Sequence, residues 1–93
     1  MINWENIDKR WEDEKYCLRE VKINGYNIKY VKNQTEKVCL EAVKQEGLAL
    51  QFVKTQTPEI VYFALKQKSD LDVNLIKINK EEWEEWRITN GND

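Results

Sequence analysis

The chain has 93 residues, 41% of them apolar and 34% charged, with four Trp, four Tyr, two Phe and a formal net charge of −2. That length holds one domain with a small core. The aromatic content excludes a disordered chain, which lacks such groups to bury, and the absence of His removes the commonest general base and metal ligand.

Residues 1–13, "MINWENIDKRWED", are acidic and contain no apolar signal core. They read as an N-terminal cap on a cytoplasmic protein, with Trp4, Ile7 and Trp11 on one helical face. From residue 16 the chain repeats itself. "YCLREVKINGYNIKYVKNQTEK" and "VCLEAVKQEGLALQFVKTQTPE" align without a gap at a spacing of 22, and nine of the 22 pairs are identical. A third copy begins at Ile60. Its columns read Cys17, Cys39, Val61, then Val21, Val43, Leu65, then Lys22, Lys44, Lys66, then Gly25, Gly47, Ser69.

The same spacing links the helix starts. Thr57 precedes Pro58, a strong start signal. Steps of 22 from Thr57 reach Thr35, Asp13 and Asn79, all good N-cap residues. Val38, Cys39, Ala42 and Val43 form an apolar helical stripe. Gly47 is expected to end that helix in the left-handed conformation. "LALQFVK" then predicts a second, shorter helix, with Leu48 above Phe52 at i, i+4. In the first unit, alternation of Tyr26, Ile28 and Tyr30 also fits a short strand. The third unit departs from the pattern over residues 69–78, where Asp70 replaces Tyr26 and Leu48. "KEEWEEWRITNG" reads as a half-length fourth unit.

The expected fold is therefore all-α. It is a short right-handed-type helical-repeat stack of 22-residue units, each a helix, a Gly turn and a short helix, with capping helices at both ends. The chain divides into a cap over 1–13, repeats over 14–35, 36–57 and 58–79, and a half-repeat cap over 80–93.

Ala42-Val43-Lys44-Gln45-Glu46-Gly47-Leu48-Ala49-Leu50-Gln51-Phe52 resembles a helical-repeat family of unknown function, found in bacteria and viruses, whose units are close to A-V-K-Q-N-G-x-A-L-K-Y. The resemblance covers roughly residues 14–68, with Glu46 where the pattern has Asn. It implies an α-helical repeat and a phage or mobile-element origin, and it brings no catalytic residue.

The chemistry-bearing residues read as structural. Cys17 and Cys39 share a column. Packed helices lie ~8–10 Å apart while a disulfide needs Cα atoms within ~7 Å, so both are expected in the core as thiols. No cofactor or metal is expected. Carboxylates are scattered over helix surfaces; "KEEWEEW" concentrates four Glu on one short helix, where helix-start acids complementing the dipole explain Glu81 and Glu82 more simply than a metal or acid–base pair. Charge is uneven along the chain. Residues 15–68 carry a net of +5, residues 1–14 a net of −3 and residues 69–93 a net of −4. Stacking would align Lys22, Lys44 and Lys66 as one basic ridge and Lys32 and Lys54 as another.

The expected function is a non-enzymatic protein-binding module, most concretely a small phage- or mobile-element-encoded inhibitor occluding a host defence protein in the host cytoplasm. Trp83, Trp86, Glu81, Glu82, Glu84 and Glu85 are its candidate contacts. Two alternatives stand beside it: a nucleic-acid accessory protein binding phosphates weakly through the Lys ridges, and a self-associating helical protein, monomer or homodimer. No membrane partner is expected.

Overall fold

A computed structural model describes residues 10–90. The expectations for Trp4 and Gly91 lie outside those residues. The described chain is helical from end to end. The long helices are α1 (Glu14–Ile23), α2 (Glu36–Gln45), α3 (Pro58–Gln67) and α4 (Lys80–Asn90). Between them run three short 3-10 helices, Gly25–Tyr30, Gly47–Phe52 and Val73–Leu75. The α-helices form one row and the first two 3-10 helices pack together in a second. The molecule is a short rod of 52 × 22 × 21 Å.

Each long helix starts where the 22-residue spacing predicts. The Asp13 carboxylate accepts from the Lys15 N–H, and the hydroxyls of Thr35 and Thr57 accept from the Val38 and Ile60 N–H groups. Asn79 Oδ1 accepts from the Glu82 N–H at 2.7 Å while Glu82 Oε1 faces the Asn79 N–H at 3.4 Å, a reciprocal capping box.

The helix ends differ from expectation. Asn24, Glu46 and Lys68 close the three helices in extended conformation, with φ of −151°, −148° and −140°. Among the described residues no Gly has positive φ, so Gly25 and Gly47 are not left-handed stops. Their role is close approach. A Cβ on Gly47 would lie 2.7 Å from the Ala64 carbonyl oxygen, and one on Gly25 would meet the Ala42 carbonyl oxygen. The 3-10 turn of each of the first two units thus rests directly on the backbone of the next helix, at its Ala column.

The second element of each unit is a 3-10 helix, not the expected α-turn pair or strand. A period of three runs through its buried residues, Gly25, Ile28 and Val31, then Gly47, Leu50 and Val53, with Ala49 buried beside it in the second unit. Side chains at i and i+3 eclipse in this geometry, which turns one narrow edge inward and leaves Tyr30 half exposed at 51%.

The core lies between the two rows. It holds Cys17, Val21, Ile28, Val31, Val38, Cys39, Ala42, Val43, Ala49, Leu50, Val53, Ile60, Val61, Ala64 and Leu71. Burying a side chain such as Ile28 or Leu50 contributes about 1.5–3 kcal/mol. No core residue comes from α4.

Candidate functional site at the open end of the stack

Two Gln side chains tie the first three layers together. Gln34 Nε2 donates to the Ile28 and Phe52 carbonyls at 3.2 and 3.0 Å, and its Oε1 accepts from the Lys54 N–H at 2.9 Å. Gln56 repeats this one layer on, donating to Leu50 and Leu75 at 3.5 and 2.8 Å and accepting from the Lys77 N–H at 2.8 Å. Each Gln bonds carbonyls of two successive 3-10 helices. The Ile28 and Leu50 carbonyls also accept from the Val31 and Val53 N–H groups, and the Phe52 and Leu75 carbonyls lie at helix ends, where intrahelical donors run out. Both residues stand in an identical column of the repeat, which was a visible signal, but its polar role needed the neighbouring backbone. The column ends at Ile78, an apolar residue with no such bonds to offer.

The third unit gains one residue and then loses it. Val31, Val53 and Ile76 donate to Ile28, Leu50 and Val73, so the register shifts from 22 to 23 in that turn. The segment from this residue to the next cap is four residues long after Val31 and Val53 and three after Ile76. Asn79 is therefore back in phase.

The close contact between layers fails at the same place. Its two partners are the Gly column and the Ala column. Between α3 and α4 the chain has Ser69 for Gly and Trp86 for Ala. A Cβ at the first position and an indole at the second forbid the approach seen one layer earlier, because interiors have no spare space. The helix consequently stands off. Beneath it lies a hollow of about 230 Å³ lined by Val61, Leu65, Ile76, Ile78, Asn79, Lys80 and Trp83.

The candidate residues on α4 separate into distinct roles. Trp83 packs partly against the core. Trp86 stacks on Trp83 with ring centroids 5.9 Å apart and leans on Tyr62 at 5.2 Å. Trp86 also lines a shallow outer hollow with Pro58, Glu82, Glu85, Thr89 and Asn90. Glu82 is held in the capping box, and Glu84 pairs with Arg87 at 3.0 Å. Glu81 and Glu85 are exposed. At the other end, Trp11 sits edge-on to Tyr16 at 5.1 Å and tilted on Tyr30 at 5.4 Å. Its carbonyl accepts from the Lys32 N–H at 3.2 Å, standing in for a Gln bridge.

The Lys columns are exposed at Lys22, Lys44, Lys66, Lys32 and Lys54. The first ridge is not purely basic. Lys44 Nζ lies 4.5 Å from the Phe63 ring centre and Lys66 Nζ 5.8 Å from that of Tyr62, so both rest on aromatic faces. Cys17 and Cys39 are buried free thiols. Burial, with Glu36 nearby, pushes the Cys39 thiol up to about 11. Burial, then Asp13 and Glu14, raises Cys17 in the same direction. A thiol held neutral is a poor nucleophile and a poor metal ligand. Among the described residues no group of three or more Cys, Asp or Glu is placed to hold a metal, and no helix is long and apolar enough to cross a membrane.

No protein-family model matches the chain, and no curated protein or solved structure does.

Proposed function

We propose that this chain is a non-enzymatic protein-binding module whose contact surface is the α4 end of the stack. The observation that carries the reading is the defective fourth layer. α4 contributes no buried residue, yet it presents two stacked indoles beside Glu82 and Glu85 and covers an apolar hollow incompletely. Trp is favoured at interface hot spots, and the acids beside it complement a basic partner surface. The unit resemblance to helical repeats of bacteria and viruses supports the more specific version, an inhibitor encoded by a phage or mobile element that occludes a host defence protein.

The test is capture from a bacterial host lysate with the native protein and with Trp86→Ala. Trp86 lies outside the core, so the variant keeps its fold, which circular dichroism checks. One partner held in stoichiometric amount at moderate salt, and weakened about tenfold or more by Trp86→Ala, is the expected result. Retention of nothing, or retention that Trp86→Ala leaves unchanged, overturns the reading.

A further inference from the structure

The outward face of the helix row carries an ordered charge pattern. Three columns lie on the side of the helix row opposite the buried stripe, exposed in α1 and α4 and partly buried at Glu41, Glu59 and Phe63, the last of which also packs against the core. They read Lys15, Lys37, Glu59, Glu81, then Arg19, Glu41, Phe63, Glu85, then Lys22, Lys44, Lys66, Ile88. Summed by layer from α1 to α4, these positions carry +3, +1, 0 and −2. The flanking columns do not cancel the trend. Ile23, Gln45, Gln67 and Thr89 are neutral, as are Leu18, Leu40 and Tyr62, and Glu84 in the same column is neutralised by Arg87 at 3.0 Å. The first helical residues, Glu14, Glu36, Pro58 and Lys80, run the other way a quarter turn off, and including them still gives +2, 0, 0 and −1. Because the repeat fixes one residue per layer at each column, the gradient is a property of the surface and not only of the sequence.

We propose that this face is a self-complementary interface pairing two copies of the chain antiparallel. In that arrangement Lys15, Arg19 and Lys22 of one copy face Glu81 and Glu85 of the other, twice, about a two-fold axis between layers two and three. The geometry is closed, as an isologous dimer requires. A parallel alignment sets the +3 layer against itself and is repelled. Length fits too. A contact along a rod 52 Å long and 22 Å wide reaches the ~800 Å² per partner of a standard interface. Ile23 and Ile88 are 74% and 69% exposed at opposite ends of the row, and antiparallel pairing brings those ends together. The middle layers meet through the half-buried Leu40, Tyr62 and Phe63. This surface shares Glu85 with the proposed contact patch but contains neither Trp83 nor Trp86, so the Trp86→Ala capture experiment and the self-association measurement fail separately.

Sedimentation equilibrium tests it. At low salt the native chain should sediment at twice its monomer mass, and raising the salt should weaken the dimer on the order of tenfold, because exposed charges are screened. The pairs K15E/R19E and E81K/E85K should each be monomeric, since each sets like charges together. The four-fold swap K15E/R19E/E81K/E85K restores opposite charges and should dimerise again. All four positions are solvent-facing, and circular dichroism confirms that each variant is folded. A native monomer at low salt, a dimer indifferent to either pair, an assembly that keeps growing with concentration, or a folded four-fold variant that stays monomeric overturns the proposal.

Discussion

At the scale of single residues, the glycines show how one letter serves different physics. Gly is read from sequence as a left-handed stop, yet Gly25 and Gly47 are needed for the space a Cβ would occupy beside the next helix's backbone. The two explanations give opposite rankings of variants. Asn tolerates the left-handed region but is larger than Ala. Gly47→Ala should therefore cost about 1–3 kcal/mol, and Gly47→Asn more, as measured by urea unfolding; an Asn variant more stable than the Ala variant would restore the turn explanation. Cys39 gives a pH-dependent expectation. Its folded-state thiol titrates at about 11, above the ordinary 9.0. The unfolded chain thus loses this proton first. The contribution of the neutral thiol is complete below pH 9 and is lost as pH rises towards 11. The stability advantage of the native protein over Cys39→Ala should narrow across that window.

At the scale of elements, three layers are joined by the same three devices: a capped α-helix, a 3-10 edge of period three, and a Gln bridge. The bridge is the polar counterpart of the core. Gln56→Leu keeps the side-chain volume but leaves the Leu75 carbonyl and the Lys77 N–H without their Gln56 bonds, while the Leu50 carbonyl keeps its bond from the Val53 N–H. Each lost bond costs about 1 kcal/mol and more where water cannot replace it, so the variant should lose about 2–4 kcal/mol in denaturant unfolding. An unchanged midpoint would mean that water satisfies these groups. The fourth layer lacks the bridge, the Gly and the small residue together, and α4 is held by its capping box and by rings.

At the scale of the whole molecule, stability in a stack is a sum of nearest-neighbour interfaces. α2 is covered on both sides, and α4 on one side without a buried residue. Hydrogen exchange should follow that order. The amides of α2 should open only with global unfolding, and those of α4 should exchange faster by local opening. Uniform protection across the four helices would show that the hollow beneath α4 closes in solution. The weak layer is also where the binding surface is proposed, and a surface meant to receive a partner is favoured by an element that is not already satisfied.

The sequence by itself determined the period, the four helix starts and the apolar columns, because a cap needs only its own turn and a 22-residue repeat imposes the same environment on each copy. It also carried the loss of the fourth layer, in the paired change of Gly to Ser69 and Ala to Trp86, although neither letter has that meaning alone. Only the tertiary structure decided that the short elements are 3-10 helices, that Gly serves contact and not turning, and that Gln34 and Gln56 are bridges. Each of these depends on what lies about 20 residues away in the next layer, and local propensity holds no information about a neighbour's backbone.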